Sequence, residues 1–190
     1  MGNETEKTEF LADCTEKGGN STTNIPMVEI DGLFLTQSAA VLRYLARKFG
    51  LYPGDGEAEA CYYVDNLLYA AEDLRIASYK PMQMFGGGEK EKEHYIKTVL
   101  PTHLSNFARL LGSRDYFGRG AIDMENNALT VADVSIYDTL HVCERQVPGS
   151  VLGKDFPSLV AFFERMEARP GIARWIASEQ RGKLFAFPPL

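Results

Sequence analysis

The chain has 190 residues, 45% of them hydrophobic, so it can form one sizeable domain or two small ones. Its formal net charge is −6, its pI is about 5.2 and it has no run of Lys or Arg, which argues against a nucleic-acid-binding surface. We expect neither a membrane span nor a signal peptide, because apolar runs are short and the first residues are polar. Cys14, Cys61 and Cys143 are far apart, which predicts no metal site, no disulfide framework and a reducing, cytoplasmic setting.

A hairpin followed by a helix is the first predicted unit. Two apolar runs, residues 25–30 and 33–35, flank the pair Asp31-Gly32, and this pattern predicts two strands joined by a tight turn. Thr36 and Ser38 then stand where a side chain can cap a helix, and that helix is expected to continue to residue 49.

The next segment, residues 50–56, is rich in glycine and is predicted to be a linker. It would separate a first domain, residues 1–52, from a second domain, residues 57–190. Apolar residues recur at helical spacing throughout the second domain. The predicted helices there cover residues 57–84, 89–111, 129–146, 157–168 and 170–178.

Three residues of the second domain carry specific predictions. Pro101 should bend the second of these helices, since a proline inside a helix loses a hydrogen bond. Thr130 and Asp133 have the spacing of a capping box in front of an apolar run.

A small αβ unit followed only by helices predicts an α+β protein of two lobes.

Three stretches, in this order and at this spacing, resemble the cytosolic glutathione transferases of the pi, mu and sigma classes. They are Ile25-Pro26 with Asp31-Gly32 and Leu35-Thr36-Gln37-Ser38; Glu72-Asp73-Leu74-Arg75; and Leu129-Thr130-Val131-Ala132-Asp133 with Phe156-Pro157 and Arg169-Pro170-Gly171. The resemblance covers residues 8–180. It implies a thioredoxin-like first lobe and an all-helical second one. It also implies glutathione as co-substrate, a small electrophile as substrate, a homodimer and a role in detoxification.

The resemblance also implies a set of glutathione-binding residues. Pro26 would be cis, so that the backbone of Ile25 pairs with the cysteinyl part of glutathione; an ordinary trans proline at a strand edge is the alternative. Gln37 and Ser38 would hold the γ-glutamyl carboxylate at a helix N-terminus, or Ser38 would only cap that helix. Lys17 would pair with the glycyl carboxylate, or would be a solvated surface charge.

The remaining implied site residues lie on the first long helix. Asp73 would reach the γ-glutamyl ammonium bound by the partner subunit, or would be a surface charge with a partner on its own helix. Tyr79 and Met82, followed by Phe85, would line the electrophile pocket, or would be ordinary core residues.

The chain departs from the family pattern near its start. Residues 1–24 contain no tyrosine and no apolar strand, so we expect a thioredoxin-like lobe shortened by about one strand and one helix. The Tyr, Ser or Cys that would donate a hydrogen bond to the glutathione thiolate is therefore not identified, and the catalytic residue is unknown. Three readings remain open: an active transferase, a non-catalytic interaction module of the same fold, or an incomplete gene model or splice form of an active enzyme.

Overall fold

A computed structural model describes most of the chain. The described residues are 28–82, 85–118, 128–182 and 190, together with Thr8, Glu9, Ala12 and Glu16. The chain divides into two compact units, one ending at Tyr52 and the other beginning at Pro53. The α+β class predicted from the sequence is confirmed, since one small sheet is followed by a helical remainder.

The N-terminal unit contains the predicted hairpin. Strand β1 (Val28–Ile30) pairs antiparallel with β2 (Leu33–Leu35), and Ile30 faces Leu33 across the turn. The two turn residues, Asp31 and Gly32, have φ values of 52° and 73°. A two-residue hairpin turn of type I′ requires positive φ at both central positions, and this requirement explains the Asp-Gly pair.

Helix α1 (Ser38–Lys48) follows the hairpin and buries Val41 and Ala46. Lys48, in its last turn, forms an ion pair with Asp31 and so ties the end of the helix to the hairpin turn. The predicted cap is wrong in detail, because the N-cap position is Gln37 and no side chain caps the helix. Ser38 is the first helical residue and Thr36 is buried before it.

The described part of the C-terminal unit is helical. Its elements are α2 (Ala58–Tyr79), α3 (Glu89–His94), a π-helical segment (Tyr95–Val99), α4 (Leu100–Leu111), α5 (Val131–Gln146), α6 (Pro157–Glu167), α7 (Pro170–Ile176) and α8 (Glu179–Gly182). Prolines open α6 and α7 at the first-turn position that the sequence indicated. Across the described residues, none of the helices combines the length and apolar character needed to cross a bilayer.

Helix α2 ends five residues earlier than predicted, at Tyr79. Pro81 explains the difference, since proline has no amide hydrogen to donate to the preceding turn and its ring crowds that turn. The chain then folds back on itself. The amides of Phe85 and Gly87 both donate to the carbonyl of Met82, at 2.9 and 3.0 Å.

The predicted helix over residues 89–111 is interrupted in the middle. The segment Tyr95–Val99 is π-helical, and the amide of Leu100 donates to the carbonyl of Tyr95, five residues back. Pro101 follows directly and begins the next α-helical stretch in its first turn. The bend predicted at Pro101 stays a prediction, and the structure shows a widened turn directly before the proline.

The core of this unit surrounds α5, which packs along α2. Ile136, Leu140 and Cys143 on α5 are fully buried. Phe117, from the loop after α4, lies edge-to-face with Phe162 of α6, with ring centroids 5.1 Å apart. This loop therefore supplies a central core residue.

The N-terminus of α5 is held by the predicted capping box of Thr130 and Asp133. Asp133 is completely buried, and its carboxylate accepts the amide of Thr130 at 2.8 Å. It also accepts the amides of Phe117 at 2.6 Å and Gly118 at 3.4 Å. Burial raises the pKa of Asp133, while these hydrogen bonds oppose the shift. The box therefore joins the helix to the preceding loop as well as starting the helix.

Candidate functional site

Gln37 and Ser38 stand at the N-terminus of α1 with both side chains exposed. The backbone of Gln37 has φ 69° and ψ 103°, a conformation that residues other than glycine rarely adopt. Such strain costs about 1–3 kcal/mol and is often found at ligand sites. A strained residue at the position that the sequence indicated as a ligand site is the most specific geometric feature of this unit.

The start of α1 is suited to bind a carboxylate. The amides of a helix's first turn lack partners within the helix and carry the positive end of the dipole. No acidic residue occupies the first turn of α1, and no side chain caps it. Ser38 is the first helical residue and does not occupy the N-cap position, which is that of Gln37. An anion at this place would meet backbone amides, a hydroxyl and the Gln37 amide group.

Three of the predicted glutathione-binding residues, Ile25, Pro26 and Lys17, lie outside the described residues. The cis peptide, the backbone pairing and the glycyl-carboxylate contact predicted for them stay predictions.

Asp73 is exposed on α2. No basic residue lies three or four positions from Asp73 on α2, and Arg75, two positions away, pairs with Glu72 at 3.2 Å. Arg75 also reaches α5, where it donates to Asp138 at 3.0 Å and to Thr139 at 3.1 Å. Among the described contacts none involves the Asp73 carboxylate. Its side chain is therefore available to a ligand or a partner.

Tyr79 and Phe85 form an aromatic pair at the end of α2, with centroids 5.5 Å apart and planes inclined by 30°. Phe85 is 57% exposed, whereas Met82 between them is only 4% exposed. Burial is the main cause of the raised pKa of Tyr79. The two rings offer an apolar surface, and Met82 would support that surface from beneath.

A polar cluster on α5 was missed by the sequence analysis, which gave no role to the histidines. His141 stacks on Phe163 at 6.1 Å, and its Nε2 accepts a hydrogen bond from Arg181 of α8. Burial, together with the charges of Arg181 and Arg145, lowers the pKa of His141. One turn away, Tyr137 donates to Glu167 at 3.3 Å. Only the spacing of Tyr137 and His141 could have signalled this from sequence.

The predicted site residues fall in separate units. Gln37 and Ser38 adjoin in the N-terminal unit, while Asp73, Tyr79 and Met82 lie on or just after α2 in the C-terminal unit. In the part of the chain that the structure describes, no cluster of three or more His, Cys, Asp or Glu residues could hold a metal ion.

Two family descriptions match the chain. The glutathione S-transferase N-terminal domain matches residues 2–47, and the glutathione S-transferase C-terminal domain matches residues 73–179. The second match alone covers more than half of the chain.

Individual relatives agree with these matches. Glutathione S-transferase 2 of Onchocerca volvulus is 32% identical over 150 residues, which is 79% of this chain and 68% of that protein. Glutathione S-transferase P 1 of Bufo bufo is 35% identical over 154 residues, covering 80% of this chain and 69% of that protein. Glutathione S-transferase P of Bos taurus is 33% identical over 156 residues, with 82% and 70% covered.

The fold agrees as well. The solved structure of the pi-class glutathione S-transferase of Onchocerca volvulus is similar to this chain with a TM-score of 0.72 and 25% identity. The similarity covers 94% of this chain and 81% of that one. On the combined evidence of both domain matches, the relatives and the fold, the chain belongs to the glutathione S-transferase family.

Proposed function

We propose that this protein is a glutathione transferase that conjugates glutathione to small electrophiles in the cytoplasm, in a detoxifying role. Relatives named glutathione S-transferase, at 32–35% identity over most of the chain, support the activity. The single structural observation that carries the proposal is the strained, uncapped start of α1 at Gln37 and Ser38. The cytoplasmic setting is supported by Cys61 and Cys143, which are free thiols.

Gln37 and Ser38 would bind the γ-glutamyl carboxylate of glutathione. The exposed hydroxyl and side-chain amide can donate to the carboxylate oxygens while the first amides of α1 complete the shell. Ile25, Pro26 and Lys17 are proposed for the rest of the tripeptide on the resemblance alone.

The reaction is attack by the glutathione thiolate on an electrophilic carbon. The thiolate, and not the thiol, is the nucleophile, so a hydrogen-bond donor to sulfur would speed the reaction. We assign no residue of this chain to that role. The proposed electrophile surface consists of Tyr79 and Phe85 with Met82 beneath, because the exposed Phe85 ring, paired with the partly buried Tyr79 ring, can contact a small apolar substrate.

A homodimer through α2 is part of the proposal. Tyr62, Tyr69 and Ile76 follow one another at intervals of seven residues, and each has half or more of its surface exposed. Residues seven apart lie on one side of a helix, so the three form an apolar stripe. Asp73 lies four residues after Tyr69 and three before Ile76, which places it beside that stripe. A partner packed on the stripe would place Asp73 at the interface between the two subunits.

Calorimetric titration with glutathione, followed by turnover of chlorodinitrobenzene, tests the main proposal. We expect binding in wild type and at least tenfold weaker binding in Ser38→Ala, since a hydrogen bond to a charged group is worth about 1.5–3 kcal/mol. Ser158→Ala is the matched control, because Ser158 also lies in the first turn of a helix of 11 residues. Equal affinity of Ser38→Ala and wild type would contradict the assigned carboxylate site.

The same assays separate the competing functions. Turnover above the buffer rate supports the transferase. Glutathione binding without turnover would indicate a site that holds the tripeptide but does not activate sulfur. Absence of binding, with one partner protein co-purifying in stoichiometric amount, would favour the non-catalytic interaction module.

Light scattering tests the dimer. Tyr69→Glu should shift the mass from dimer to monomer, because it places a charge in the apolar stripe. Leu152→Glu serves as control, since Leu152 is also exposed but lies in the loop after α5. A wild-type monomer, or a dimer in Tyr69→Glu, would rule out this interface.

A further inference from the structure

The loop after α2 is closed by a glycine that has no room for a side chain. A Cβ atom on Gly87 would meet the backbone carbonyl of Lys80 and would lie 2.6 Å from the carbonyl oxygen of Pro81. Real Cβ atoms do not approach so closely, and a backbone carbonyl cannot rotate away as the end of a flexible side chain can. Any other residue at position 87 must therefore move the loop off the end of α2.

The same loop places Phe85 against Tyr79. The amides of Phe85 and Gly87 both donate to the carbonyl of Met82, so one acceptor holds the two residues together. Phe85 is largely exposed, and its ring lies 5.5 Å from that of Tyr79. The position of the Phe85 ring therefore depends on how closely the loop packs against the end of α2, and Gly87 makes the closest approach there.

We infer that Gly87 is a positioning residue that gives the protein its preference for flat aromatic electrophiles, by letting Phe85 close against Tyr79. The inference rests on the proposed function and names the substrate class of the proposed electrophile surface. Two inclined rings present a broad apolar face, which favours an aromatic substrate through ring contacts. A one-carbon electrophile needs no such face.

Two substrates of different shape can separate this role from general damage. With chlorodinitrobenzene, the thiolate sulfur bonds to the ring carbon and chloride leaves with the electron pair of the carbon–chlorine bond. With iodomethane, sulfur bonds to the methyl carbon and iodide leaves in the same way. In both reactions the thiol proton goes to solvent, so only the shape of the electrophile differs.

The experiment compares wild type, Gly87→Ala and Gly88→Ala with both substrates. Gly88→Ala is the matched control: it lies in the same loop, but its Cβ would meet only the Glu91 side chain, at 3.4 Å. For Gly87→Ala we expect kcat/KM towards chlorodinitrobenzene to fall by about tenfold to a hundredfold, mostly through KM, since ångström-scale displacements have such effects. Activity towards iodomethane and the KM for glutathione should stay within about twofold of wild type. Gly88→Ala should match wild type throughout.

An equal loss with both substrates would show that Gly87 only supports the fold, and an unchanged aromatic activity would overturn the inference directly. Wild type that turns over neither substrate would contradict the proposed function. In that case, binding of unreactive dinitrobenzene, measured by equilibrium dialysis, tests the inference by itself. Weaker binding in Gly87→Ala than in Gly88→Ala would support it. Equal binding, or no binding by wild type, would refute it.

Discussion

Replacement of Asp133 by asparagine is a sharp test of how the helical unit is held together. The carboxylate is fully buried and accepts backbone amides from Phe117, Gly118 and Thr130, as well as the Thr130 hydroxyl at 3.1 Å. All of these groups are donors. An asparagine side chain keeps the shape but turns one of the two acceptor oxygens into a donor.

The cost depends on which oxygen is replaced. Oδ1 accepts only the Phe117 amide, whereas Oδ2 accepts the other three groups, so the new NH₂ group should settle at the Oδ1 position. The Phe117 amide then has no acceptor, which costs about 1–3 kcal/mol, and the remaining bonds lose the strength that a charged acceptor gives them. Relief of carboxylate desolvation offsets part of this loss. We expect a net destabilisation of about 2–3 kcal/mol, or roughly 10 °C in Tm for a unit of this size.

The assay should report on the helical unit alone, because a chain of two units need not unfold in one step. Trp175 is the only tryptophan and belongs to that unit, so its fluorescence on heating provides the probe. Asp138→Asn is the matched control: it makes the same change on the same helix, in a residue that is 61% exposed and pairs with Arg75. It should cost less than about 1 kcal/mol. Equal Tm shifts in the two variants would refute the reasoning. Thr130→Ala should cost about 1 kcal/mol.

Three further predictions concern other contacts. Burial and the Arg181 charge lower the pKa of His141 in the folded state below the usual 6.5, so unfolding of wild type should take up a proton at this residue. The free energy of unfolding should therefore fall as pH drops from about 7 to 5. The variant His141→Gln should remove this fall. Arg75→Met should destabilise the α2–α5 packing by about 1–2 kcal/mol, against about 0.5 or less for Lys97→Met in an exposed pair. Gln37→Gly should relieve positive-φ strain and stabilise the N-terminal unit by about 1 kcal/mol, measured by hydrogen exchange of α1, while weakening glutathione binding.

Each of these has an outcome that would count against it. Equal pH dependence of the Tm in wild type and His141→Gln would mean that other groups control acid stability. If Lys97→Met destabilised the protein as much as Arg75→Met, the effect would come from removal of a positive charge and not from the contacts of Arg75 with α5. Faster exchange of the α1 amides in Gln37→Gly would mean that the glutamine side chain stabilises the turn more than its backbone strains it.

The features that could be predicted from sequence are those fixed by neighbouring residues. Asp31-Gly32 specifies a tight turn because both positions need positive φ, and Thr130 with Asp133 specifies a helix start because the partners are three residues apart. The ligand position proposed at Gln37 and Ser38 also rests on a short motif. The strain at Gln37 could not be predicted in this way, since a φ value depends on how the hairpin and helix are joined.

The features that were missed depend on residues distant in the sequence. The bond from the Phe117 amide to Asp133 spans 16 residues, and that from Arg181 to His141 spans 40. Periodicity carries no information on such pairs. The overlong prediction for α2 had a local cause, because Pro81 lacks the amide hydrogen that would continue the helix.

The widened turn at Tyr95–Val99 affects where the chain can lose a residue without losing its fold. Buried residues of α4 follow one another at intervals of four, three and four, but the interval from Tyr95 to Leu100 is five. The wide turn takes up that extra residue, so the residues on either side still face the same core. Deleting one residue between Tyr95 and Leu100 should leave an ordinary helix with an interval of four. Loss of a residue here should therefore be tolerated, whereas the same loss within α5 would rotate every later side chain out of the core.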